Sequence, residues 1–106
     1  MKLYHAARLE LKDDIEETGI RPAYSNKLTA GQNVQDNLCV YGFADIDDAV
    51  SFATDNNYHY DGYIICTFDT GKEETIPDTE YEDGVSWLVV TDEKIVPDEI
   101  IVVDYN

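Results

Sequence analysis

The sequence predicts an α+β fold built on a small, split and mostly antiparallel β-sheet with two short helices. Segments of strand length, rich in β-branched and aromatic residues, recur along the chain. Apolar residues at helical spacing occur in two segments, and no glycine-rich turn follows a predicted strand, which excludes a doubly wound nucleotide-binding fold. A chain of 106 residues is of one-domain length, so we predict a single domain over residues 1–106.

The first two elements are a strand and a helix. The alternating segment KLYHAA predicts a strand over residues 2–7. In the following LELKDDIEETG, Leu11 and Ile15 lie four positions apart and form one apolar helical face. Gly19 supplies the left-handed end of this helix, and a proline three positions later prevents its continuation.

The remaining elements follow from similar signals. Residues 23–37 are polar and rich in turn formers, which predicts a loop, and the apolar run at 38–43 predicts a strand. Asp45 is the expected N-cap of a second helix. Further strands are predicted at 63–70, 85–91 and 99–105, with an acidic loop at 71–84 and a connection at 92–98.

The net charge of −16 is concentrated in one part of the sequence. Residues 1–35 contain five acids and five bases, whereas residues 36–106 contain 18 acids and only two bases, Lys72 and Lys94. Such a field repels nucleic acid and anionic membranes and attracts basic protein surfaces. We therefore expect a protein partner with a basic surface, no direct nucleic-acid binding and no membrane; a surface that only serves solubility is the alternative.

Cysteine usage and the amino-terminal sequence bear on location. Cys39 and Cys66 lie within apolar strand segments, and MKLYHAARLE has no secretory apolar region, so we expect buried thiols and a cytoplasmic protein of a bacterial or infected host cell. The two histidines and two cysteines lack zinc-site spacing, and residues 78–89 lack the glycine and glutamate of a calcium loop. No metal site is predicted.

His5 is the unexpected residue of the first strand, on the same side as Leu3. A single histidine in such a place is more often structural than catalytic.

Several short motifs, in order, resemble the ADP-ribosyltransferase superfamily. The motifs are Leu3–Tyr4–His5, Gly19–Ile20–Arg21–Pro22, Val40–Tyr41 with Ala49 and Phe52, and Ile95–Val96–Pro97 with Ile100. The chain is most similar to the small branch that includes RNA 2′-phosphotransferases and DNA ADP-ribosyltransferases.

The resemblance implies an NAD-binding cleft between two small sheets. It implies that His5 binds the ribose of NAD and that Tyr41 stacks on the nicotinamide ring. Arg8 and Arg21 would contact the pyrophosphate. A carboxylate would stabilise the charge that develops as the glycosidic bond breaks, and Glu82 is the candidate for this third catalytic role.

The sequence departs from the superfamily pattern at one catalytic position. The superfamily often carries a glutamate at the head of a late strand, where this chain has Ser86. Two functions therefore remain open: transfer of ADP-ribose from NAD to a protein, or non-catalytic inhibition. In the second, the acidic half would imitate nucleic acid and dock on the basic groove of a host or defence nuclease complex, as a phage-encoded inhibitor would.

Overall fold

The computed structural model describes residues 1–24, 38–71, 73–78, 80–82 and 84–103. Within these residues it confirms an α+β fold with an antiparallel sheet and two short helices. The elements in chain order are β1 (Lys2–Arg8), α1 (Lys12–Thr18), β2 (Ala23–Tyr24), β3 (Leu38–Phe43), α2 (Ile46–Asp55), β4 (Tyr63–Asp69), β5 (Glu74–Pro77), β6 (Ser86–Val90) and β7 (Glu99–Val103).

Six strands form the main sheet in the order β5–β6–β3–β1–β4–β7, and β2 pairs with β3. All the recorded pairings are antiparallel. β1 pairs with β4 along its whole length, from Lys2 to Arg8. β1 and β3, in contrast, are in register only at Tyr4 and Phe43. The sheet is therefore two three-stranded halves, β5–β6–β3 and β1–β4–β7, joined at a single residue pair.

Gly42 permits the close approach of the two halves. A Cβ atom at this position would lie 2.7 Å from the Cβ of Leu3 and 3.2 Å from the ring of Phe68. A side chain larger than hydrogen would push β3 away from β1, so the junction depends on glycine here.

The sheet is covered on both faces. On one face, Leu3 and Ala7 of β1 pack in a cluster with Ile15 of α1 and with Ile20. On the other face, Ala6 packs in a cluster that includes residues of α2. Alternate residues of β1 therefore serve different cores, because successive strand side chains point to opposite faces.

Both predicted helix boundaries have a local cause. The Asp45 side chain accepts a hydrogen bond of 2.9 Å from the backbone N–H of Asp47, which confirms it as the N-cap of α2. Gly19 ends α1 with φ of +95°, a backbone conformation that favours glycine. The first predicted helix starts later than expected, since Leu9–Leu11 form a 3₁₀ turn before α1.

The prediction of an uninterrupted loop at 71–84 was wrong. Residues Glu74–Pro77 form β5, which pairs with β6 from Glu74–Val90 to Pro77–Trp87. Thr75 and Ile76 favour strands, but the surrounding acids obscure this short signal. The loop predicted at 23–37 starts instead with β2, and residues 25–37 lie outside the described residues.

Both cysteines are buried, and no disulfide joins them. Burial raises the pKa of the Cys66 thiol to about 11. Among the described residues, no helix is both long and apolar enough to span a membrane.

Candidate functional site

The candidate site lies where the two half-sheets separate. Phe43, at one end of β3, pairs with β1, and Leu38 and Cys39, at its other end, pair with β2. Between these pairings, the residues in the middle of β3 are in register with no strand on that side among the described residues. We call this stretch without register pairs the opening, and the side chains of His5 and Tyr41 lie beside it.

Two side-chain hydrogen bonds connect the strands where the backbone ladder is missing. His5 Nδ1 lies 2.9 Å from the backbone carbonyl oxygen of Tyr41. The Tyr41 hydroxyl in turn donates to the carbonyl oxygen of Ala6. A carbonyl oxygen only accepts, so the His5 proton resides on Nδ1 and the Nε2 lone pair is left as an acceptor.

The environment keeps His5 neutral. Burial lowers the pKa of His5 from 6.5 to about 4, and the hydrogen bond to Tyr41 opposes this effect only in part. Burial also raises the pKa of the Tyr41 hydroxyl, which therefore keeps its proton. At neutral pH the opening thus presents an uncharged imidazole that accepts a hydrogen bond through Nε2.

His5 lines a small pocket against α1. The pocket has a volume of about 130 Å³ and is lined by His5, Ala7, Leu11, Asp14, Ile15, Ile20 and Arg21. A dry cavity of roughly 150 Å³ holds one benzene ring, whereas drug-sized ligands occupy roughly 300–1,000 Å³. The His5 pocket therefore has room for a single ring or a sugar, and a whole dinucleotide would extend out of it.

Arg21 and Asp14 form an ion pair at this pocket. The guanidinium donates to the two carboxylate oxygens of Asp14 at 2.9 and 3.1 Å. Arg21 holds the pKa of Asp14 below its usual range. Asp14 is a carboxylate near His5 that sequence reasoning missed, since it lies on the polar side of a predicted helix and has no motif around it.

Tyr41 is enclosed by other rings. Its ring centroid lies 4.3 Å from His5, 5.0 Å from Phe52 and 5.9 Å from Phe43. Aromatic neighbours have centroids about 4.5–7 Å apart, so an inserted nicotinamide would need roughly 9 Å or more between His5 and Tyr41. The two rings contact each other, and no ring fits between them in this arrangement.

Glu82 lies away from the His5 pocket. It is an exposed residue of the turn before β6, and its carbonyl accepts the backbone N–H of Val85. The neighbouring Tyr81 ring packs edge-on against Phe43 at 5.4 Å, on the α2 face of the sheet. Glu82 is therefore not among the residues that line the His5 pocket.

Ser86 occupies the strand position where the superfamily resemblance leads one to expect glutamate. It is buried at the head of β6 and in register with Phe43 of β3. Its hydroxyl oxygen has no hydrogen-bond partner among the described residues. Because Ser86 is only 1% exposed, a glutamate at this position would have to place its carboxylate in the protein interior.

The two arginines lie on opposite faces of the sheet. The Arg8 guanidinium lies over the ring of Tyr58, 4.6 Å from its centroid, in the α2-side cluster. Arg8 borders a second pocket of about 310 Å³ with Leu9, Glu10 and Asp61. Of these two arginines, Arg21 lines the His5 pocket and Arg8 does not.

In the described part of the chain, no three His, Cys, Asp or Glu side chains gather closely enough to hold a metal ion. Comparison with known proteins finds no significant match to any family model, curated protein or solved structure.

Proposed function

We propose that the chain is an ADP-ribosyltransferase-like protein that binds NAD at the His5 pocket, beside the junction of the two half-sheets, with His5 as the anchor. The observation that carries the proposal is the single-pair junction between β1 and β3, with His5 and Tyr41 beside it. The motif resemblance implies a cleft between two small sheets, and His5 and Tyr41 belong to the motifs that carry it.

His5 and Arg21 supply complementary contacts for such a ligand. The Nε2 lone pair of neutral His5 accepts a hydrogen bond from a ribose hydroxyl. The Arg21 side chain is 62% exposed, so its guanidinium can exchange the Asp14 carboxylate for pyrophosphate oxygens. The pocket then holds one ring or one ribose, and the rest of NAD lies along the protein surface.

Transfer requires cleavage of the bond between the nicotinamide nitrogen and the ribose carbon. The electron pair leaves with nicotinamide, and the acceptor supplies the new bond to the carbon and loses its proton. A carboxylate stabilises the positive charge that develops on the ribose. Asp14 already borders the His5 pocket, whereas Glu82 is not among the residues that line it.

Binding is tested by thermal unfolding with and without NAD, since a ligand that binds the folded state raises the melting temperature. We expect NAD to stabilise the wild-type protein and His5→Ala to remove the stabilisation. His59→Ala is the matched control, because it removes the other histidine and leaves the junction intact. The proposal fails if millimolar NAD gives no stabilisation of a folded wild-type protein.

Catalysis is tested separately from binding. Incubation with NAD and candidate acceptor proteins, followed by mass spectrometry, measures nicotinamide release and attached ADP-ribose. Asp14→Asn and Glu82→Gln distinguish the two carboxylates. NAD binding without release would show that the site binds the nucleotide and has lost transfer chemistry.

The charge distribution favours a second candidate function, which is docking on a basic protein surface. The described acids of residues 36–106 lie at the surface except for Asp78, which is buried. Such docking weakens steeply as salt is added and survives His5→Ala. Binding that is insensitive to salt would eliminate it.

A further inference from the structure

The strand β7 leaves one edge of the sheet uncovered by the described residues. β7 pairs with β4 from Glu99–Thr67 to Val103–Tyr63 and ends the strand order. An edge strand turns alternate backbone N–H and C=O groups away from its neighbour, and these groups can pair with an added strand.

The side chains of β7 do little to prevent such pairing. After Glu99 the strand is wholly apolar, with the sequence Ile100–Val103, and Val102 is 46% exposed. Natural edges are usually protected by charges or proline within the strand. The opposite edge strand, β5, has this protection, because it is short, begins with Glu74 and ends with Pro77.

A groove adjoins the start of β7. It has a volume of about 300 Å³ and is lined by Glu16, Val96, Pro97, Asp98, Glu99 and Ile100. Val96 is 70% exposed. The groove combines an exposed apolar side chain with the carboxylates of Asp98 and Glu99, whereas Glu16 already pairs with Lys12. This combination suits the aliphatic stem and charged head of lysine or arginine.

Charge decides what this edge can accept. Two copies of the chain would bring together net charges of −16 each, which opposes self-pairing. A basic segment instead meets Asp98 and Glu99 at the start of the strand.

We propose that β7 and the adjoining groove bind an extended, lysine- or arginine-bearing segment of a partner protein, which adds a strand to the sheet. The inference deepens the docking candidate above and rests on it, and it is independent of NAD binding. Backbone pairing supplies affinity, and the groove selects basic side chains.

The probe is a synthetic peptide of alternating lysine and valine, added to the full chain at low salt. Two peptides serve as controls: one with glutamate in place of lysine, and one with a central proline that prevents strand pairing. Binding is mapped by amide chemical shifts and hydrogen exchange in NMR spectra. With the lysine peptide, we expect the chemical shifts of the β7 amides to change and their hydrogen exchange to slow about tenfold. Neither control peptide should have these effects.

A charged residue on the edge should weaken binding. Val102→Lys places like charge beside the added strand and should lower peptide affinity about fivefold. Ser51→Lys makes the same charge change on an exposed position of α2 and should alter affinity little. Asp98→Asn and Asp55→Asn form a second matched pair, of which only the first should weaken binding.

Each alternative result has a definite meaning. In one alternative, chemical-shift changes spread over the acidic surface, and Val102→Lys and Ser51→Lys lower peptide affinity equally. This result would overturn the β7 site but leave docking through the acidic surface in place. No binding of the lysine peptide at low salt would overturn both. Protection of β7 that rises with protein concentration, without peptide, would identify a second copy as the occupant and overturn the proposed partner.

Discussion

Replacement of His5 by asparagine should make the stability of the protein less dependent on pH. Asparagine has an amide N–H that can replace the Nδ1 donor to the Tyr41 carbonyl, but it does not titrate. The junction between the half-sheets therefore keeps its hydrogen bond, and the variant removes only the proton equilibrium of the imidazole.

The expected effect follows from the lowered pKa of His5. Between pH 6.5 and about 4 the unfolded chain binds a proton that the folded protein excludes. The free energy of unfolding of the wild type therefore falls as the pH falls through this window. Lowering the pKa of His5 from 6.5 to about 4 corresponds to a loss of at most about 3 kcal/mol in the free energy of unfolding as the pH falls. This loss is absent in His5→Asn.

Urea unfolding followed by Trp87 fluorescence measures the effect at several values across this pH window. The difference between wild type and His5→Asn isolates the histidine, because the many carboxylates are common to both proteins. His59→Asn, measured in parallel, shows how much of the pH dependence of the free energy of unfolding comes from the second histidine. If the two stability curves stay parallel throughout, His5 titrates normally and the neutral-acceptor description of the site is wrong.

Three other substitutions test the junction between the half-sheets and the cap of α2. Gly42→Ala should lower the free energy of unfolding by about 1–3 kcal/mol, because its Cβ would stand 2.7 Å from that of Leu3. Tyr41→Phe should cost about 1–3 kcal/mol, because the carbonyl of Ala6 loses its donor across the opening. Asp45→Ala should cost about 1 kcal/mol through loss of the α2 cap. Urea unfolding measures all three.

Two control variants accompany these measurements. Gly71→Ala changes a glycine whose nearest neighbour is the flexible end of Glu73, so it should be nearly neutral. Asp55→Ala is the control for Asp45→Ala. It removes an acid from the last residue of α2, where negative charge is unfavourable to the helix dipole, so it should not lower the free energy of unfolding. A loss from Gly71→Ala as large as that from Gly42→Ala would contradict the close approach of β1 and β3.

Much of the local structure was predictable because its signals are local. Asp45 caps α2 through its own side chain, and Gly19 ends α1 through its own backbone conformation. The apolar strand at 38–43 needed no distant information either, since its composition alone favours a strand. β5 was missed because two strand-forming residues among acids give a weak signal, and pairing with β6 decides its structure.

The candidate site could be predicted only in part. The sequence indicated His5 and Tyr41 through their motifs and Arg21 through the end of the first helix. It also indicated Arg8 and Glu82. Tyr41, Arg8 and Glu82 are not among the residues that line the His5 pocket. Asp14 had no sequence signal, because its contact with Arg21 arises when the chain reverses after Gly19.

The fold class, the presence of two helices, the end of α1, the start of α2 and the concentration of negative charge after residue 35 could all be obtained from the sequence alone. Periodicity, capping and composition are properties of neighbouring residues, so they can be read along the chain. The meeting of β1 and β3 at one residue pair and the hydrogen bond from His5 to the Tyr41 carbonyl are visible only in the folded chain. That arrangement depends on packing between segments more than 30 positions apart, for which a single sequence carries no direct signal.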